Sequence, residues 1–412
     1  MASFLLSPEV GLPEGSLAPD LLERLREAHR LLLAGDSAGA VRRVEAMVAA
    51  GGPAADAANV LLAGVELARG APAAAIARLE PVAARTPGYA AARLPLARAH
   101  ELEGRVVVAF ERYAELEAAA TAARERSRLL LPAASAEVRR RLEDALARLV
   151  VAEADPLVAW LERWAPAERA TIDARRRVAV LRGDEREELA ALRRLVPFEP
   201  ESRELLWRQG ELELEVGDAG RGLALFEGMA RKYPADAEVA RGLARARFLW
   251  RLSTLPPRVQ AAVRRESPTR ADFAALLYWL VPGVRAGRPG ATRVATDVLD
   301  HPWREEIVRV ANFGLLRVDE TLHQFEPNRA LSRGDAHLAF ARLLFLFGRG
   351  APCLRSFGVE SGPLSREGAC ALLAACGVVD GRETCVGGGA AAGETVLEEL
   401  RRTLDLLDGS AR

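Results

Sequence analysis

RELLWRQGELELEVGDAGRGLALFEGMARKYP, residues 203–234, reads as two amphipathic helices joined by a tight turn at Gly217-Asp218. Gly210 is small in the middle of the first helix and Gly222 is small at the start of the second. Phe226 and Met229 follow, and Pro234 closes the unit. Small residues at those places let paired helices approach closely, while the later apolar positions fill the space between pairs. Upstream, Gly183-Asp184 precedes Gly217-Asp218 by the same interval that separates Pro200 from Pro234. A fixed period of this size indicates a solenoid, in which each helix pair buries its apolar face only against its neighbours. That architecture points to binding rather than chemistry.

The beginning of the chain repeats the plan. After an irregular Pro- and Gly-containing lead-in over residues 1–16, turn glycines recur at Gly35, Gly70 and Gly104. Ala40, Ala75 and Ala109 follow them, and the larger Val44, Leu79 and Tyr113 come one helical turn later on the same face. Ala28, Ala63 and Ala97 precede each glycine. Pro87 closes the second unit, with Gly52 and Thr121 at that place in the others. This set resembles the tetratricopeptide repeat family, in which a small residue sits within the first helix, an alanine opens the second, a large residue follows and a proline ends the unit. The resemblance covers units 21–53, 56–88, 90–122 and 203–235. It is weak in 169–201, where Arg176 and Glu188 replace small residues. Between residues 123 and 165 the period is lost, and helices are expected over 136–151 and 156–164. Residues 235–252 read as a further helix capping a continuous superhelix over 17–252. The resemblance implies a groove, lined by the first helix of each unit, for a protein or peptide.

Pro256-Pro257 marks a domain boundary. A different repeat follows. Thr269-Arg270-Ala271-Asp272 opens one apolar helix, Ser332-Arg333-Gly334-Asp335 a second, and Ala392-Gly393-Glu394 a third. Together with Asp297-Val298, Trp303, Ile307, Gly314, Phe325 and Pro327, these residues resemble the S-layer homology domain over about 267–408. That resemblance implies three repeats in a three-fold helical arrangement, attachment to cell-wall polysaccharide, and Arg270, Trp303 and Arg333 as glycan-binding residues. The first repeat lacks its Trp-bearing half, and the third lacks both Trp and Arg. Thr269-x-x-Asp272 and Ser332-x-x-Asp335 have capping-box spacing. Trp303 is expected to share the buried face of Ile307 and Val310, and Arg333 to need an acidic or carbonyl partner against the helix dipole. Both residues are therefore expected to serve folding more than binding.

Composition narrows the function classes. The 57 basic and 57 acidic residues cancel, so no net field attracts nucleic acid or an anionic membrane. Half the residues are hydrophobic but only 5% are aromatic. The first residues carry no signal-peptide pattern, and no window is long and apolar enough to span a membrane. The start suggests the cytoplasm, whereas the S-layer resemblance suggests the cell envelope. Cys353, Cys370, Cys376 and Cys385 form no C-x-x-C pair. They read as free buried thiols or, alternatively, as a disulfide such as Cys353–Cys385. GGAAAGET at 388–395 mimics a phosphate loop, but Glu394 stands where lysine must pair with phosphate. The five histidines show no metal spacing, and no nucleophile–base set is present.

The expected fold is all-α: a tetratricopeptide-type helical-repeat solenoid over 17–252, then a smaller S-layer-homology-like domain over 253–412. The expected function is a non-enzymatic adaptor with no metal or cofactor. It would bind a protein or peptide through the repeats, with envelope polysaccharide as a further partner for the C-terminal module. The alternative is a structural or oligomerisation protein whose C-terminal module is a folded cap without glycan binding.

Overall fold

Gly35, Gly70 and Gly104 adopt φ of +90°, +73° and +74°, the left-handed region in which a Cβ is disfavoured, so each reverses the chain between two helices. A computed structural model describes residues 2–49, 51–348, 350–356, 364–381 and 389–410. The fold is all-α, with helices packed in consecutive pairs. Among the described residues, the β-type pairings are isolated bridges. The chain divides into two compact units, residues 1–198 and 199–412.

The first unit contains α1 (Pro19–Leu33), α2 (Ser37–Val48), α3 (Gly52–Ala68), α4 (Pro72–Arg85), α5 (Ala90–Leu102), α6 (Val106–Ala114), α7 (Thr121–Ala147), α8 (Val151–Trp164), α9 (Arg169–Arg182) and α10 (Glu185–Leu195). Successive helices pack on each other, and the first helices of the pairs also stack, α1 on α3 and α3 on α5. Ala28, Ala63, Ala97, Ala40, Ala75, Ala109, Val44, Leu79 and Tyr113 are all buried, so the small and large positions read from the period do face the inter-helix space.

The aperiodic stretch departs from expectation. One helix runs from Thr121 through Pro132 to Ala147, where a start at 136 was expected, and α8 begins at Val151 with Pro156 inside it. An internal proline removes one backbone bond. Here Ala123 and Ser127 before Pro132, and Ala134 and Val138 after it, are buried on both sides of the break, and packing carries the helix through.

The second unit opens with the stretch that showed the period. Its helices are α11 (Arg203–Glu215), α12 (Ala219–Lys232), α13 (Ala237–Ser253), α14 (Pro257–Val263), α15 (Arg270–Leu280), α16 (Pro282–Ala286), α17 (Arg304–Asn312), α18 (Arg333–Phe347), α19 (Arg366–Ala375) and α20 (Gly393–Ser410). Asp218 caps α12 by accepting from the Gly220 and Arg221 amides at 2.8 and 3.1 Å, and Asp236 caps α13 in the same way. A Cβ on Gly210 would lie 2.9 Å from the Phe226 ring, and one on Gly222 would lie 2.8 Å from Leu214. Gly210→Leu should therefore lower stability by about 1–3 kcal/mol, read from the urea midpoint. An unchanged midpoint would mean the ring is free to move aside.

Phe248 and Leu252 of α13 share one buried cluster with Val259, Phe273, Phe340 and Leu400. The starts of α15, α18 and α20 are tied together by main-chain hydrogen bonds. Leu331 N–H donates to Pro268 O (2.9 Å), Ala391 N–H to Leu331 O (2.8 Å), and Gly393 N–H to Glu266 O (2.7 Å). The three bonds close a ring.

The free-thiol reading is overturned. Cys353 forms a disulfide with Cys376, and Cys370 is disulfide-bonded as well. The partner of Cys353 is thus not Cys385, which lies outside the described residues. Cys376 stands just past the end of α19, where the chain leaves the helix and reaches the 3-10 turn carrying Cys353. Cross-linking this 23-residue separation restricts the unfolded chain by about 3 kcal/mol in the loop-entropy model. Reduction should lower the melting temperature, and alkylation without reductant in denaturant should leave Cys353 and Cys376 unlabelled.

Candidate functional site

The residues singled out by the S-layer resemblance occupy three different environments. Arg270 is 5% exposed. Its Nε donates to Phe325 O at 2.9 Å and its Nη2 to Arg317 O at 2.7 Å, while Nη1 meets Asp335 Oδ2 at 3.1 Å. The guanidinium lies 4.8 Å from the centre of the Phe325 ring. Burial pushes its pKa below the usual arginine range, and Asp335 opposes that shift. Asp297, from the same set, accepts from the Phe325 and Glu326 amides at 2.8 and 2.7 Å. It thereby fixes the turn that supplies a carbonyl to Arg270.

Trp303 stands at the cap of α17 and packs against the buried cluster that holds Ile307 and Val310, as expected, but it is only half-buried. Its amide donates to His301 Nδ1 at 3.1 Å, and the Arg258 guanidinium stands 4.9 Å from its ring centre. Trp303 lines a recess of about 380 Å³ with Arg258, Arg265, Asp272, His301 and Asn328. Arg270 and Arg333 do not line it. Arg333 is half-buried and engaged, and its amide donates to Gly389 O at 3.1 Å.

The two capping motifs also differ. Thr269 and Asp272 form a closed box, and Asp272 additionally pairs with Arg265 at 2.9 Å. Ser332 accepts from the Asp335 amide, but the Asp335 carboxylate turns to Arg270 instead of back to its own helix start. The second box is therefore half-formed, its carboxylate spent on joining α15 to α18.

Sequence reasoning missed a cleft of about 760 Å³ in the second unit, between α11, α13 and α20. Its apolar lining is the half-buried Trp207 with the buried Phe226, Phe248 and Leu404 behind it, and the Trp207 and Phe226 rings meet edge-on at 5.1 Å. Its walls carry opposite charges in pairs. Arg251 meets Asp408 at 2.6 Å, and Arg401 meets Glu398 at 2.6 Å and Asp405 at 2.8 Å. The Arg401 hydrogen bond holds the Glu398 carboxyl below its ordinary pKa, whereas burial, aided by Asp408, raises that of Asp405 against the pull of Arg401. The sequence signal was the Arg241, Arg245, Phe248, Arg251 row on one face of α13. Its partner helix α20 is too distant in sequence to be paired with it by inspection.

Among the described residues, no group of three or more His, Cys, Asp or Glu side chains could hold a metal ion. No helix among them is long and apolar enough to cross a membrane. The phosphate-loop mimic at 388–395 lies partly outside the described residues.

No family model matches the chain, and no curated protein matches it. Among solved structures it is similar to the TPR domain of P58(IPK), at 15% identity over 95% of this chain and 99% of that one, with a TM-score of 0.29. A thermophilic TPR protein of Thermus thermophilus is 22% identical over 55% of this chain and 98% of that one, with a TM-score of 0.19. The assembly chaperone of RpL4, Acl4, is 19% identical over 56% and 96%, with a TM-score of 0.22. At such TM-scores these likenesses add nothing to what the helix pairing establishes by itself.

Proposed function

We propose that this chain is a non-enzymatic scaffold that holds a protein or peptide partner, with the cleft between α11, α13 and α20 as a principal seat. The observation that carries this reading is the cleft itself, where the half-buried Trp207 ring is held edge-on by the buried Phe226 and flanked by half-exposed ion pairs. Aromatic surface supplies most of the energy when a partner covers it. Exposed ion pairs are worth little, so a partner can exchange them for its own at small cost. Benzoylphenylalanine placed at Ala240, which lines the cleft, should crosslink in cells of the source organism to a discrete polypeptide, and Arg251→Glu should abolish the adduct. The same reporter at the exposed Leu322 should give none. Equal adducts from both positions would sink the reading.

The S-layer resemblance adds polysaccharide attachment through the C-terminal module. Its three helix starts, tied in a ring, support a three-repeat arrangement over about 267–408. A folded cap without glycan binding is the reading we favour for this module, because every donor group of Arg270 that contacts a partner is spent inside the fold. Trp303→Ala should then destabilise the protein by about 1–3 kcal/mol, less than the loss for a fully buried tryptophan. Co-sedimentation with cell-wall polysaccharide should be absent for the parent and the variant alike. Binding by the parent that Trp303→Ala removes without changing the melting curve would establish the adhesive reading instead.

A further inference from the structure

Residues 2–12 do not trail away from the first unit; they lie across the first helices of its pairs. Phe4 packs against Tyr113 with ring centres 6.3 Å apart, and the Arg98 guanidinium of α5 lies 5.1 Å from the Phe4 ring centre. Leu5 is buried among Leu25, Ala28, Leu32 and Leu61 of α1 and α3. It passes over Gly64, where a Cβ would come within 2.9 Å of its side chain. A larger residue at position 64 would push on the ends of the Leu5 and Leu32 side chains.

The groove reads the backbone of this segment as well as its side chains. His29 Nε2 lies 3.2 Å from Leu5 O, the Tyr89 hydroxyl donates to Pro8 O, and the Ala91 amide at the start of α5 donates to Val10 O at 3.1 Å. Tyr89 is fully buried, so its hydroxyl depends on the segment for that bond. Glu9 pairs with Arg26 of α1, the Nε–Oε1 distance being 3.0 Å. Three main-chain carbonyls, an aromatic ring, a buried leucine and a carboxylate are thus each met by a residue of α1, α3, the α5–α6 pair or Tyr89 at the cap of α5. This is the recognition pattern of an extended peptide.

We infer that segment 2–12 is a built-in occupant of a peptide groove, and that a partner peptide of the same chemistry must displace it to bind. That chemistry is an aromatic residue followed directly by leucine, with a carboxylate four residues after the leucine. The inference extends the scaffold reading to the first unit. It is read there alone, so it and the crosslink at Ala240 can fail separately. The short connection from Leu12 to α1 holds the occupant at an effective concentration on the order of millimolar, which a free peptide must overcome.

The test uses fluorescein-labelled ASFLLSPEVGLP, the sequence of residues 2–13, and fluorescence anisotropy. A Phe4→Ser/Leu5→Asp variant of the full chain should bind this peptide at least about tenfold more tightly than the parent chain does. A peptide carrying Leu5→Asp should not bind. A variant that melts cooperatively yet fails to bind overturns the inference. If the variant does not fold, hydrogen exchange in the parent decides. The Ala91 amide should exchange faster than amides from Leu94 onward in α5, and equal protection would mean the segment never leaves, which also overturns the proposal. A concentration-dependent dimer of the parent that disappears in the variant would overturn it in favour of a second copy as occupant.

Discussion

Arg270→Ala should lower the unfolding free energy of the second unit by about 3–5 kcal/mol, the range seen when one partner of a buried ion pair is removed. The loss has identifiable parts. Asp335 would be left without its buried cation, and the carbonyls of Phe325 and Arg317 without donors. Arg270→Lys should recover only a fraction, because an ammonium lacks the planar fork that reaches three acceptors and lies over the Phe325 ring. Urea unfolding followed by circular dichroism measures both variants. If Arg270→Ala unfolds like the parent, the guanidinium is not structural, and the sugar-binding role implied by the S-layer resemblance regains its main residue.

Phe226→Ala should cost about 3–5 kcal/mol, as for other fully buried aromatic residues. Phe226 is 1% exposed and its ring fills the space left by two glycines: a Cβ on Gly210 or on Gly242 would lie 2.9 or 2.6 Å from it. Trp207 meets it edge-on. The glycines and the ring are one packing unit, so their substitutions should not be additive. Gly210→Ala should destabilise the parent, yet cost less in a Phe226→Leu background, where the smaller side chain leaves room for the added methyl. A double variant whose loss equals the sum of the single losses would show that the three residues pack independently.

These two residues mark where sequence reading succeeds and where it stops. Phe226 was legible because its neighbours are local: the turn at Gly217-Asp218, Gly210 and Gly222 all fall within one period, and the spacing dictates the packing. Ala28, Ala63 and Ala97 were legible for the same reason. Arg270 was recognised as special, but its acceptors at Arg317, Phe325 and Asp335 lie far away in sequence, so its inward contacts could not be read from the local pattern. Pro132 reads as a stop in any local window, and only burial on both sides of it produces the unbroken α7. The pairing of Cys353 with Cys376 depends on where α19 ends relative to a 3-10 turn, which no periodicity encodes. Residues 2–12 lack a period because their structure is borrowed from Gly64, Tyr89 and Ala91.

The ring of bonds joining Pro268, Leu331, Ala391, Gly393 and Glu266 sets an order of events in folding. In the first unit nearly every packing partner is the next helix or the one after, so structure can accumulate as each pair leaves the ribosome. In the second unit α11, α12 and α13 share that route, but the part from α14 onward does not. Glu266 and Leu331 hold carbonyls whose partners arrive only with α20, and Phe340 of α18 waits for Leu400 to complete its cluster. Contacts between residues far apart in sequence make for slow folding, because the intervening chain must be closed before any bond compensates for its lost freedom. During that interval the apolar faces of α15 and α18 are uncovered. A nascent chain paused before residue 393 should therefore be the species most exposed to aggregation and the one most dependent on chaperones.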